Sequence, residues 1–320
     1  MAIPQKVFRL ARRYSTLGAV LAIASLLTAP YQTSAQELRK LRIATIPIVD
    51  YGGLWICMER GFCQQAGISL ENQTLGGGAA IIAAMRGGSL DLGAAAIVPT
   101  LLARAQGFDL KIVALASADT NNLLLVKDPA IKTGKDFEGK TVAVNELRGV
   151  GQTWVMAWVA ANDGDPSKVK FQEFPVPGMV PAVTQGRVDA AQVSEPFRSE
   201  GIKQGLKTVA SGKLTESIPV AGIVVTEKFL AENEALMVRF VDAFAKSQEY
   251  ATKNPDEVRK VLPKYTKLGD TAATVALVKY PTEFRRDDID FWKQSLNKYA
   301  GANINFGFDD IVWKRARIAN

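Results

Sequence analysis

The sequence predicts an α/β fold of two similar lobes joined by two crossing segments, and three observations predict it. From Leu41 to Thr226, strand-like and helix-like stretches alternate. A helix, turn and strand unit occurs twice, as Gly76 to Ala96 and again as Gly178 to Val193. Two apolar runs, Asn121 to Val126 and Val220 to Val225, bracket the second occurrence. The echo is closest between Gly88-Ser-Leu-Asp91 and Gly186-Arg-Val-Asp189, whose aspartates lie 98 positions apart, longer than any solenoid period.

Taken in order, residues 1–35 carry Lys6, Arg9, Arg12 and Arg13, no acid, an apolar run from Leu17 to Leu27 and a Thr33-Ser-Ala35 exit. That is the pattern of a cleavable signal peptide, so the mature chain is expected to be exported, with the periplasm as its expected location. The run is too short to span a bilayer comfortably. With those four cations removed, the formal charge of +7 falls to +3, and no basic cluster remains for nucleic acid. Nucleic acid is therefore excluded as an expected partner, and the mature chain is expected to be a monomer.

Leu41 to Ile46 reads as the first strand, followed by a loop to Gly53 and a helix from Leu54 to about Gly61. Cys57 and Cys63 would sit too far apart to bridge on one continuous helix, so they read as two buried thiols. Only a chain break at Gly61 would allow a disulfide. Ile68 to Gln73 is the next strand, and Gly76 to Gly78 open a helix that Gly87-Gly88 stop. Leu90 to Ala95, a helix from Pro99 to Ala105 and a strand from Leu110 to Ala116 complete this half.

In the second half, Thr141 to Val144, a helix over roughly 151–162, Val169 to Phe174 and the second copy of the unit make a matching set. Lys127 to Ile131 and Thr226 to Leu230 both read as turning from an extended segment into a helix. The expected division is residues 36–122 plus 222–320 for one lobe and 123–221 for the other. Beyond Thr226 the spacing is helical; Ile289 to Ala300 and Ile311 to Ile318 read as amphipathic stretches, with Trp292 and Trp313 packing them down.

A mostly parallel sheet binds ligands at the carboxyl ends of its strands. Those ends supply Asp50, Tyr51, Gly52, Ala96, Asn121, Asn122 and Asn145 as candidates. Two glycine-rich helix starts add anion-binding backbone N–H groups: Gly77 and Gly78 in the first lobe, and Val150, Gly151 and Gln152 in the second, with Arg148 as charged partner. Glu195, after the last strand of the second copy, could orient a polar group. Trp55 reads as core, whereas Asp91 and Asp189, just inside their strand starts, read as turn or capping residues.

The chain has no histidine, which removes Ser-His-Asp and Cys-His nucleophiles and histidine-ligated metals. No Walker loop, G-x-S-x-G or Cys-x-x-Cys pair occurs, so neither an enzyme nor a bound cofactor is expected. Ile46-Pro47, Gly61-Phe62, Gly67-Ile68, Gly88 to Asp91, Gly139-Lys140, Gly186 to Ala190 and Glu195-Pro196, in that order and spacing, resemble the solute-binding proteins of ABC importers for sulfonates, nitrate, taurine and thiamine-pyrimidine precursors. The resemblance covers most of the mature chain. It implies a type II periplasmic-binding-protein fold, a small anionic ligand such as a sulfonate, nitrate, taurine or an aromatic acid held between the lobes, and delivery to a membrane permease. A pyrimidine or other heterocycle is the alternative ligand. A pyrimidine synthase on the same fold would rely on histidine, which this chain lacks.

Overall fold

The computed structural model describes residues 37–119, 123–209, 218–266 and 268–319. The signal-peptide reading and Asn121 and Asn122 lie outside those residues. The first half contains β1 (Arg39–Thr45), α1 (Gly52–Glu59), α2 (Phe62–Gln65), β2 (Ile68–Thr74), α3 (Gly78–Arg86), β3 (Leu92–Ala96), α4 (Ile97–Ala105) and β4 (Leu110–Asp119). The second contains β5 (Leu123–Val126), β6 (Thr141–Val144), α5 (Val150–Ala161), β7 (Lys170–Glu173), α6 (Val176–Thr184), β8 (Ala190–Val193), α7 (Phe197–Lys203) and β9 (Lys207–Val209). Then β10 (Ile218–Thr226) leads into α8 (Glu227–Glu232), α9 (Glu234–Lys253), α10 (Pro255–Tyr265), α11 (Asp290–Ala300) and α12 (Phe308–Ile311).

Two five-stranded sheets result, ordered β2-β1-β3-β10-β4 and β7-β6-β8-β5-β9. The orders match position for position when β1, β2, β3 and β4 are set against β6, β7, β8 and β9. In each sheet one strand runs against the rest, and it is the crossing strand: β10 in the first and β5 in the second. The chain thus passes between sheets twice, after β4 and after β9. The central strands are buried on both faces, as helix-covered parallel strands must be.

Asp91 and Asp189 hold equivalent joints. The Asp91 backbone N–H donates to Arg42 O (3.0 Å), and the Arg42 N–H donates back to Asp91 Oδ2 (2.8 Å). Asp189 does the same with Thr141, at 2.9 and 2.8 Å. Each carboxylate therefore lengthens the ladder by one bond where β1 or β6 has outrun its neighbour. Burial raises the Asp91 carboxyl, but the hydrogen bonds from Arg42 outweigh it and hold the group below the usual carboxylate range.

Helix α3 buries Ile81, Ile82 and Met85 on one face, and Gly93 on β3 gives them room: a Cβ there would meet Met85 Sδ at 2.5 Å. In α5, Trp154, Val155, Trp158 and Val159 are buried, with Phe137 edge-on to Trp158. Each such side chain contributes about 1.5–3 kcal/mol by leaving water. The twenty-residue α9 buries Met237, Phe240, Val241, Phe244, Gln248 and Ala251 at helical spacing. Its Gln248 amide donates to the carbonyls of Leu115 and Ala116 on β4 (3.1 and 2.9 Å). Helix α11 reaches across to pack on α5.

Three expectations need correction. Cys57 and Cys63 form a disulfide, with Cα atoms 5.2 Å apart. The chain breaks at Gly61, whose φ of +78° is the left-handed conformation glycine adopts without strain, and α2 folds back against α1. Lys127 to Ile131 is a turn: Asp128 Oδ1 accepts from the Ala130 N–H (2.9 Å), satisfying the backbone locally where a helix would otherwise start. At Thr226 the expected helix does form, because Thr226 Oγ1 caps it by accepting from the Phe229 N–H. Finally, only Ile311 of the stretch Ile311 to Ile318 is helical; Val312 bridges to Ile112 on β4 and Trp313 is buried there.

Candidate ligand-binding site

Between the two sheets lies a cleft with about 710 Å³ of empty space, open solvent included. The internal repeat builds it twice over. On the first side, Ile46, Ile48, Asp50 and Tyr51 follow β1, Gly78 opens α3, Ala96 ends β3, and Val220 and Ala221 lie on β10. On the second, Asn145 and Glu146 follow β6, Val150 and Gly151 open α5, Val176 and Met179 lie on α6, Gln192 and Val193 end β8, and Ser194 follows it. Matched strand ends and matched helix starts converge on one space, which is where doubly wound sheets place ligands.

Asp50 and Tyr51 are almost fully buried, at 2% and 1% exposure. Asp50 Oδ1 accepts from the Ser117 hydroxyl (2.8 Å). Tyr51 packs edge-on against Trp55, which itself stacks on Tyr265. The Tyr280 hydroxyl donates to Val49 O (3.0 Å), fixing the loop from behind. Burial pushes the phenols of Tyr51 and Tyr280 up, and the Asp50 charge adds to both shifts, so both rings remain neutral.

Glu146 joins the two sides. Its Oε1 accepts from the Ala79 N–H (2.8 Å), one of the unpaired donors in the first turn of α3. The carboxylate thus occupies the place where a helix start would hold an anion. Burial holds this carboxyl above the usual range; the Ala79 bond opposes the shift and the Glu173 charge adds to it. Next to it, Asn145 Oδ1 is buried with no hydrogen-bond partner among the described residues. Gly151 lets Gln192 approach, since a Cβ there would lie 2.5 Å from Gln192 Oε1.

Of the expected site residues, the cleft brings together Asp50, Tyr51, Gly78, Ala96, Asn145, Val150 and Gly151. Five others lie off its walls. Gly52 faces the core, where a Cβ would meet the Tyr280 hydroxyl at 2.3 Å. Gly77 stands just behind the wall, its Cβ position 3.3 Å from Asn145 Nδ2. Arg148 has a left-handed backbone (φ +59°) and lines an outer groove with Ala79, Arg86 and Leu147. Gln152 is spent locally, its Oε1 accepting from the Arg148 N–H (2.6 Å). Glu195 pairs with Arg198 (2.7 Å) and accepts from Ser199.

Sequence reasoning passed over Ile46, Ile48, Glu146, Val176, Met179, Gln192, Val193, Ser194, Val220 and Ala221. Glu146 had a signal, since it directly follows Asn145 at a strand exit. Ser194 matches Ala96 by the repeat offset of 98.

The pattern of a family described as NMT1/THI5 like matches residues 49–258, which hold β2 to β10 and nearly all of the cleft. The chain belongs to the NMT1/THI5-like family. It is similar to the taurine-binding periplasmic protein of Escherichia coli, 24% identical over 247 residues that cover 76% of this chain and 71% of that one. Among solved structures, the ligand-binding component of an ABC-type import system from Staphylococcus aureus superposes with a TM-score of 0.74 at 16% identity, covering 86% and 96% of the two chains. The alkanesulfonate-binding protein SsuA from Xanthomonas axonopodis pv. citri, bound to MOPS, gives 0.70 at 17% identity over 88% and 97%. This member of the family has the two-lobed periplasmic-binding fold that those structures share.

Proposed function

We propose that this chain is the extracytoplasmic solute-binding component of an ABC importer, which closes two lobes on a small solute and presents the closed form to a membrane permease. The observation that carries the reading is the cleft itself, walled by strand ends and helix starts from both sheets. A solute that touches both walls is bound only when they approach, so it shifts the population toward the closed form by its differential affinity. The lobes follow the sheets, β1 to β4 with β10 and the helices after it forming one and β5 to β9 the other, and the two passages of chain between the sheets act as the hinge.

Three observations support this. Two relatives are named as a taurine-binding periplasmic protein and a putative aliphatic sulfonates-binding protein. The Cys57–Cys63 disulfide suits an oxidising compartment, in keeping with export by residues 1–35 and a periplasmic location. The cleft wall holds carboxylates, amides, hydroxyls and apolar side chains, the makings of a binding surface. The relatives' named ligands make taurine and aliphatic sulfonates the first solutes to test, with nitrate and aromatic acids beside them. A heterocycle is a second reading, favoured by the acidic character of the wall, where the charged residues are Asp50 and Glu146.

The test is a thermal-shift screen of the mature chain from Gln36 against those classes. A solute at a hundred times its dissociation constant stabilises by about 2.7 kcal/mol. A rise in melting temperature with one class supports the reading. Absence of any shift, together with no solute released on denaturation, refutes it.

A further inference from the structure

We infer that Glu146 sets the specificity of this cleft by filling the anion position at the start of α3 with the chain's own carboxylate, so that the solute must bring hydrogen-bond donors, as an amine or amidinium group does. The inference rests on the solute-binding reading above and deepens it. An anion approaching Gly77 to Ala79 competes with Glu146 Oε1, which already takes the Ala79 N–H at 2.8 Å from the opposite wall. The second oxygen stays close as well, since a Cβ on Gly78 would lie 3.7 Å from Glu146 Oε2. Dislodging the carboxylate would give up this hydrogen bond and leave it half-buried near Glu173, a like charge.

The rest of the wall agrees. Asp50 is the other charged residue there, it is also acidic, and it sits on the side opposite Glu146. Arg148, the cation expected to balance an anion, lines the outer groove instead. Asn145 Oδ1, adjacent to Glu146, is a buried acceptor with no donor among the described residues. Acceptors from both walls with no lysine or arginine among the described lining residues match a donor-bearing head group. A solute with only an acid group meets repulsion, whereas one with an amine or amidine satisfies the acceptors, whether or not it carries an acid elsewhere.

The experiment uses two pairs of probes that isolate this feature: taurine against ethanesulfonate, which differ by an amino group, and benzamidine against benzoate, which share a ring. Calorimetry on the mature protein should show the nitrogen-bearing member of a pair binding at least tenfold more tightly. Glu146→Gln keeps an acceptor for Ala79 and removes the charge; it should shrink that preference tenfold or more, with an unchanged melting temperature or a higher one. Asp50→Asn is the second variant and should shrink it in the same direction. An acid-only member that binds equally or better, or a preference that neither variant alters, overturns the inference.

The solute that co-purifies is identified in parallel by mass spectrometry of the denatured protein. A basic nitrogen in it supports the inference. A solute without one overturns the inference and leaves the importer reading standing. A protein that binds neither pair, shifts with no class in the thermal screen and carries no solute refutes both.

Discussion

Gly78→Ala should destabilise the protein where Gly76→Ala should not, although both glycines belong to one run in the sequence. A methyl group at Gly78 would lie 2.4 Å from Pro99 Cγ and 3.3 Å from Pro99 Cβ. Pro99 is a rigid ring in the first turn of α4, so relief requires α3 to move off α4. Overpacking of this kind costs about 1–3 kcal/mol. The better helix propensity of alanine returns about 0.5–1 kcal/mol, leaving a net loss of up to about 2.5 kcal/mol, about 1 kcal/mol at the centre of the range. For a chain of this size that lowers the melting temperature by about 2–6 °C. Gly76 has nothing within 4 Å of its Cβ position and no positive φ, so alanine there should be neutral or stabilise by about 0.4–1 kcal/mol through the unfolded chain. Urea denaturation of the two variants beside wild type reads both effects. Moving α3 also draws Ala79 away from Glu146, so Gly78→Ala should weaken solute binding as well. Equal stability for the two variants would refute the packing account of this turn.

Glu146→Gln should change how stability depends on pH. The native carboxyl binds its proton more tightly than the unfolded one, so the stabilisation from that proton is complete below the ordinary glutamate value and is lost as pH rises through the folded value. Wild type should therefore lose stability relative to Glu146→Gln between about pH 4 and neutrality; parallel urea midpoints across that range would contradict it. Replacing Cys57 and Cys63 together by serine should cost about 2 kcal/mol, the chain-entropy value for so short a loop, and a reductant should lower the wild-type melting temperature alone. Asp91→Ala and Asp189→Ala should each cost about 1–3 kcal/mol by freeing a strand N–H, and the double variant should show the sum, since they share no partner. A large loss from only one of them, in denaturant titrations, would break the equivalence of the two joints.

Much of the fold was legible because the signals were local or repeated. Strand β6 is found at Thr141–Val144 as read, and α5 and α3 begin within one residue of their expected starts. The repeat of Ser-Leu-Asp91 and Arg-Val-Asp189 pointed to two matched sheets, but the two aspartates join neighbouring strands, to partners 49 and 48 positions away, and are not the local turn or capping residues expected. The antiparallel crossing strands were not legible, because an apolar run such as Val220 to Val225 has no direction written in it. The disulfide depended on one dihedral at Gly61, and Trp313 marked burial in a segment that is not a helix.

The site was harder to read because its decisive contact is not local. Gly77 and Gly78 present a helix start, but nothing near them in sequence says that Glu146, some 67 residues on, fills it. Arg148 is close to the cleft in sequence, yet its left-handed backbone places it in the outer groove. Gly52 lies in the correct loop and serves Tyr280 instead of a solute. Position relative to a strand end is thus readable from the chain, whereas the direction of a side chain depends on the opposing wall.

The most direct test of a solute site between the two sheets is a crystal structure of the mature protein with its bound solute. The account predicts density in the cleft touching Asp50 and Tyr51 on one wall and Asn145 and Glu146 on the other. Solute density confined to the outer groove beside Arg86 and Arg148, with the cleft empty, would contradict it.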